Sequence, residues 1–148
     1  EEYLDSEKYE LKARDLNTPW SLKDLITRVN RIRQDNAALQ SDRTLQFHDT
    51  DNPALICYSK ATEDLSNVII VVVNLDAFHT QSGWINLDVD ALGIESTRPF
   101  QAHDLLGDGR FLWNGARNYV ELIPGSLPAH VMRVRKWVRT ERDFDYYF

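Results

Sequence analysis

Hydrophobic and polar positions along the chain follow two different periods, and the change between them falls near residue 40. Leu22, Leu25, Ile26, Val29 and Ile32 recur at three- and four-residue spacing, with Lys23, Arg28, Arg31 and Gln34 on the other side. That spacing predicts an amphipathic helix over about 22–36. Ser21 stands at an N-cap position, Asp24 follows three residues later in a capping-box pattern, and Asp35-Asn36 marks the helix end. After residue 40 the chain changes to short runs of β-branched and aromatic residues separated by turn clusters, predicting strands at 44–48, 54–59, 68–74, 83–89, 100–105, 110–113, 119–122 and 130–136. Short strands in that number, with frequent turns, predict a mostly β chain folded as an antiparallel β-sandwich. Asp51-Asn52-Pro53 and Gly107-Asp108-Gly109 read as hairpin turns, the glycines supplying positive φ. Val68–Val73 is apolar on both faces and predicts a central strand, whereas residues 131–135 alternate and predict one wet face.

Residues 1–20 show neither period and end in Thr18-Pro19-Trp20, where the proline holds the preceding residue extended. Within Glu1–Glu10 stand five carboxylates, Lys8, Tyr3 and Tyr9. An aperiodic stretch of this make-up reads as a ligand-facing loop. Met132 is the only methionine, so the polypeptide is expected to begin inside a longer one. The last residues, 139–148, carry Phe144, Tyr146, Tyr147 and Phe148 among charges, and that much aromatic surface is expected to dock on something.

Composition narrows the class. A chain of 148 residues, 43% hydrophobic and 27% charged, matches one soluble globular core of ordinary size. A net charge of −6 and a pI near 5.1 argue against nucleic acid as the main partner. The arginines at 28, 31 and 33, and the basic group Arg133, Arg135, Lys136 and Arg139, read as solvated faces. Cys57 is the only cysteine, which excludes an intrachain disulfide and suggests a reducing compartment and a buried structural thiol. The longest apolar run is far too short for a membrane helix, and no basic-then-apolar leader opens the chain, so no membrane and a cytoplasmic location are expected.

Candidate chemistry is sparse. Glu1, Glu2, Asp5, Glu7 and Glu10 invite a glycosidase-like reading, but a retaining pair must be held about 5 to 5.5 Å apart on rigid elements. A terminal acidic stretch does not supply that rigidity. The histidines at 48, 79, 103 and 130 lie on separate segments without metal-ligand spacing, and no serine-nucleophile or phosphate-loop motif occurs. Trp84, Trp113, Tyr119 and Trp137 are candidates for stacking on sugars, although a tryptophan within a strand is more often part of a core.

The segment Tyr3-Leu-Asp-Ser-Glu-Lys-Tyr-Glu10 resembles the loop ending the catalytic barrel of bacterial maltosyltransferases, a branch of the α-amylase superfamily that uses maltose 1-phosphate to extend α-1,4-glucans. Arg28-Val-Asn-Arg-Ile-Arg33 and Asn36-Ala-Ala-Leu39 resemble the last barrel helix, with Ala37 where that family more commonly has proline. His103-Asp-Leu-Leu106, Trp113-Asn-Gly115, Asn118-Tyr-Val-Glu121 and Pro128-Ala-His130 resemble the C-terminal sandwich shared with trehalose synthases, from which the Ser6–Tyr9 loop sets this chain apart. Arg139-Thr-Glu-Arg-Asp-Phe-Asp-Tyr146 is similar to maltosyltransferase tails.

The resemblance implies the end of a (β/α)8 catalytic barrel over 1–40, an amylase-type Greek-key sandwich over 41–138 and a tail over 139–148. It further implies a retaining transfer of maltosyl units from α-maltose 1-phosphate to the non-reducing end of an α-1,4-glucan, with release of phosphate. The catalytic Asp, Glu and Asp of such enzymes lie on earlier barrel strands, so no catalytic residue is expected in this chain, which alone should be inert. Lys8 and Tyr9 match the loop that approaches the donor sugar, with Lys8 as a hydrogen-bond donor to its hydroxyls. No cofactor and no metal are implied; the partners are the upstream barrel, donor and glucan, within a parent that could form a homodimer. The alternative is a free-standing, non-catalytic sandwich that binds glucan or protein. Residues 1–40 separate the two, because a self-sufficient module has no use for a barrel loop and helix.

Overall fold

The two periods become one helix and a set of antiparallel strands in the computed structural model, which describes residues 13–136. Helix α1 spans Lys23–Asp35, and a short 3₁₀ turn, Ala37–Gln40, follows it. The eight strands are β1 (Gln46–Thr50), β2 (Leu55–Ala61), β3 (Val68–Asn74), β4 (Gln81–Asn86), β5 (Pro99–Asp104), β6 (Arg110–Asn114), β7 (Arg117–Leu122) and β8 (Ala129–Arg135). Every predicted strand exists, with edges shifted by a few residues. The start of β1 moves inward because the Thr44 hydroxyl, and not its backbone, bonds Ala61, donating to its carbonyl at 2.6 Å and accepting from its N–H at 3.1 Å.

All pairings are antiparallel, in the order β6-β5-β8-β3-β2-β1-β4-β7. Strand β1 belongs to two sheets: Gln46–His48 pair with β2, then Asp49 and Thr50 pair with β4. β1, β2 and β3 are successive neighbours and β4 returns beside β1, which is a Greek key. The turn between β6 and β7, with Gly115 at φ 60°, joins the two ends of the order, so the sandwich is nearly a closed barrel.

β3 is central, as its composition predicts. Val68, Ile70 and Val72 face the main core with Cys57, Ile85, Phe100, Trp113, Leu122 and Met132. Ile69 and Val71 face outward yet are also buried, in a smaller cluster beneath Ala38 and Leu39 of the 3₁₀ turn. β8 buries His130, Met132 and Val134, while Val131 and Arg133 between them are half-buried.

Two local expectations are corrected, one in the β5–β6 turn and one at the start of the helix. Positive φ in the β5–β6 turn falls on Asp108, at 60°, and not on its flanking glycines. Aspartate tolerates the left-handed region because its short side chain bonds locally, here to His103 Nε2 at 2.7 Å. The capping box does not form: Leu22 occupies the N-cap position without a side-chain bond, and the Ser21 hydroxyl instead accepts from the Lys23 N–H at 3.3 Å. The helix is also not packed along its whole apolar face. Ile32 is buried, but Leu22, Leu25, Ile26 and Val29 are 46–62% exposed. The outer apolar patch of β3 is covered by Ala38 and Leu39 of the 3₁₀ turn, and the helix itself is tied to the sandwich by a polar bond from Arg28 Nη1 to the Leu106 carbonyl.

Candidate functional site

Lys8, Tyr9 and the carboxylates of Glu1–Glu10 lie outside the described residues, as do Trp137 and the tail 139–148. Among the described residues no group of three or more His, Cys, Asp or Glu is placed to hold a metal ion, and no helix is long and apolar enough to cross a membrane. The described part offers three things: buried polar joints, an uncovered helix face, and an aromatic sheet face.

The joints absorb most of the motifs singled out in the sandwich. Asp104 is 1% exposed, and its Oδ2 accepts from His130 Nδ1 at 2.9 Å and from the Gly107 N–H at 3.1 Å. Its Oδ1 accepts from the Leu106 and Val131 N–H groups, each at 3.1 Å. Burial works to raise the Asp104 pKa, but the His130 bond, the amides of Leu106 and Val131 and the His130 charge outweigh it, and the carboxyl is held below its usual range. Asn118 likewise ties the β6–β7 turn, accepting from the Asn114 N–H and donating to the Gly115 carbonyl, both at 3.0 Å. These residues bind each other, so they are structural.

His48 and Cys57 are structural too. The His48 Nδ1 accepts from the Asp88 N–H at 3.2 Å, which leaves Nε2–H to donate to Ser59 Oγ at 2.8 Å. Burial pushes the His48 pKa down, against the opposing pull of Asp88 and Asp49. Cys57 is 1% exposed, and burial pushes its thiol up to about 12, far from a nucleophile.

Helix α1 is joined to the sandwich at Asn36, which the sequence marks as the helix end, through Asn67, which no sequence pattern singles out. Asn36 Nδ2 donates to the Ile32 carbonyl at 2.8 Å and its Oδ1 accepts from Asn67 Nδ2 at 3.0 Å, while Asn67 Oδ1 accepts from the Ala38 N–H at 3.0 Å. On one side of the helix a groove of about 440 Å³ runs along Val29, Ile32, Leu39, Tyr58, Val71 and Val131. On the other side a groove of about 400 Å³ lies between Leu25, Arg28, Leu106, Leu127 and Pro128. Charged residues line both grooves as well, Arg33, Asp42 and Lys60 in the first and Asp24 and Arg28 in the second.

The aromatic candidates separate by face. Trp113 is buried edge-to-face on Phe100, with centroids 6.1 Å apart. Trp84 and Tyr119 instead oppose each other across β4 and β7 on the outer face, 40% and 50% exposed, with centroids 5.5 Å apart and planes inclined at 65°.

The family described as "GLGE, C-terminal" matches residues 47–134, more than half of the chain. The alpha-1,4-glucan:maltose-1-phosphate maltosyltransferase of Salinibacter ruber is 45% identical over 134 residues, covering 90% of this chain and 20% of the relative. An enzyme of the same name from Chlorobaculum tepidum is 42% identical over 140 residues, covering 90% and 21%. A third, the alpha-1,4-glucan:maltose-1-phosphate maltosyltransferase 2 of Streptomyces coelicolor, is 46% identical over 140 residues, covering 92% and 20%. The chain thus spans about a fifth of the length of these curated relatives. Among solved structures, an Anoxybacillus alpha-amylase superposes with a TM-score of 0.59 at 13% identity, covering 85% of this chain and 25% of that one. The maltogenic alpha-amylase AmyB of Thermotoga neapolitana gives 0.59 at 13%, covering 83% and 27%. Likeness at that identity speaks for the sandwich fold alone; the sequence match over the strands goes further, and the chain belongs to the GLGE C-terminal family.

Proposed function

We propose that this chain is the C-terminal part of a maltosyltransferase that moves maltosyl units from α-maltose 1-phosphate to the non-reducing end of α-1,4-glucans, releasing phosphate. The observation that carries the reading is family membership, with identity to enzymes of that name extending across nine tenths of the chain. In this reading residues 1–40 end the catalytic barrel, Lys8 and Tyr9 line the donor site, and the sandwich is a structural domain behind it. The Lys8 ammonium would donate to sugar hydroxyls, a charged hydrogen bond contributing about 1.5 to 3 kcal/mol.

The uncovered stripe of α1 supports the same reading. Leu22, Leu25, Ile26 and Val29 are shaped to cover a partner surface, and a barrel strand of the same parent is that partner. A self-sufficient glucan- or protein-binding module would have no reason to hold a half-covered helix by a buried asparagine pair. The lone buried Cys57 suits a cytoplasmic parent, and a homodimer of that parent belongs to the same proposal.

The test compares the parent enzyme with this chain. Supplied with maltose 1-phosphate and a maltooligosaccharide, the parent is expected to release phosphate and elongate the acceptor by two glucose units at a time. This chain is expected to do neither. Phosphate release by the repurified chain, or a parent indifferent to maltose 1-phosphate, overturns the reading.

A further inference from the structure

Residues 139–148 are the part of the sequence that neither the sandwich nor the proposed donor site uses. They join three acids, Glu141, Asp143 and Asp145, to four aromatic residues, Phe144, Tyr146, Tyr147 and Phe148. β8 delivers them to a defined place. It pairs with β3 as far as Ile69 and Arg133, and two residues before Ile69 stands Asn67, whose Oδ1 accepts from the Ala38 N–H at 3.0 Å. The chain therefore leaves β8 beside the 3₁₀ turn, which together with the end of α1 walls the groove of about 440 Å³.

The floor of that groove belongs to a single row across four strands. Val131, Val71, Tyr58 and Phe47 are successive partners on β8, β3, β2 and β1, so their side chains share the outer face. A strand spacing near 4.8 Å makes the row about 14 Å long. At its far end the rings of Tyr58 and Phe47 have centroids 6.0 Å apart, and Phe47 is 63% exposed. Arg33 and Lys60 line the same groove, and Arg133 stands two residues from Val131 on the same face of β8. The acid among them is Asp42, already bonded to Lys60. The groove is thus apolar along its floor and positive along its wall.

We infer that residues 139–148 fold back onto the sandwich, with the aromatic side chains of 144–148 laid along the row from Val131 to Phe47 and the acids of 141–145 beside Arg33, Lys60 and Arg133. The chain is long enough. Val131 lies four residues, about 13 Å, behind Arg135, and the eight residues 136–143 can extend to about 26 Å, which allows a turn and a return. Residues 144–148 in extended form cover about 13 Å, close to the length of the row. Tyrosines suit the site because the ring can be buried while the hydroxyl stays at a polar rim, here Gln40 and Ser41. The groove at Leu106 and Pro128 is the poorer match: it lies at the start of β8, and its Asp24 and Arg28 offset each other. The docked segment leaves Leu22, Leu25 and Ile26 to the barrel, with Val29 at the border. It does not depend on the proposed activity.

The test is a photo-cross-link. Tyr146→p-benzoylphenylalanine, made in this chain and in the parent, is irradiated and the attached peptide mapped by mass spectrometry. Attachment is expected within the same polypeptide, to peptides holding Leu39, Tyr58 or Val131. Arg33→Glu, at an exposed position, should lower that yield at least about threefold while thermal unfolding of the sandwich is unchanged. In the chain without substitutions, nuclear Overhauser contacts between the Val131 methyls and aromatic protons should disappear when residues 141–148 are removed. Attachment elsewhere on the sandwich, to the barrel or to a second copy overturns the inference. So does a yield indifferent to Arg33→Glu, or a set of Val131 contacts unaltered by the removal.

Discussion

Asp104 and His130, 26 residues apart, meet at 2.9 Å inside the sandwich, with the carboxylate also holding three backbone N–H groups. The bond joins the end of β5 to β8 and shapes the turn after Asp104, against which Arg28 of the helix is tied. A pair that resembles part of a catalytic relay is here a clamp between strands. Both partners are closed off, His130 at 3% and Asp104 at 1% exposure.

Removing one partner should therefore be costly. Asp104→Ala leaves three amides and the His130 ring without their acceptor, and a loss of about 3 to 5 kcal/mol is expected, as for a broken buried pair. Urea unfolding of the variant measures it. A loss below about 1 kcal/mol would mean that water replaces the carboxylate.

Two groups give stability the same pH slope. Asp104 is depressed in the folded state, so the unfolded chain binds more protons as pH falls; its contribution is present above the unfolded value near 4 and lost as pH falls through the folded one. His48 is also depressed, and its contribution is present above about 6.5 and declines below that value, since a buried neutral imidazole resists protonation. Stability should fall between pH 7 and 5, and His48→Gln should flatten that part of the profile. An unchanged slope would assign it to other groups.

The asparagine hinge predicts separable unfolding. Asn67→Ala removes the acceptor of the Ala38 N–H and the donor to Asn36, a loss of about 1 to 3 kcal/mol for buried groups left unsatisfied. Amide exchange should quicken in α1 while β3 and β8 stay protected. Uniform loss of protection would show that helix and sandwich unfold as one unit.

Charging the helix stripe distinguishes this chain from its parent. Leu25→Asp and Ile26→Asp alter exposed positions here and should change stability by no more than about 0.5 kcal/mol each. In the parent the same changes should destabilise strongly, each side chain forgoing about 1.5 to 3 kcal/mol of burial. Equal tolerance in both would remove the barrel-helix proposal.

Lys8→Ala in the parent should lower kcat/KM for the donor by roughly ten- to a hundredfold, the kinetic equivalent of a charged hydrogen bond to the sugar. Tyr9→Phe should cost less. Donor kinetics that do not respond to Lys8→Ala would show that the loop only closes the barrel.

The elements were legible in the sequence because each carries its own period. Leu22, Leu25, Ile26, Val29 and Ile32 mark a helix by spacing alone, and Val68–Val73 could only be a strand apolar on both faces. Clusters such as Asp51-Asn52-Pro53 separated the strands, and short separated strands of this kind pack antiparallel. Tertiary structure decided what each face meets. The helix stripe shows that a side is apolar, but not that Ile32 is buried while Val29 on the same stripe is exposed. Trp84 and Trp113 look alike in sequence, each inside a strand, yet one faces solvent and the other the core, because side chains alternate faces and a one-residue change of register reverses them. Asp104 with His130, and Asn36 with Asn67, are separated by 26 and 31 residues, and their bonds exist only once the sheet order brings the segments together. Local periods are set by backbone geometry within a few residues; these joints and surfaces are set by packing between segments far apart in the chain.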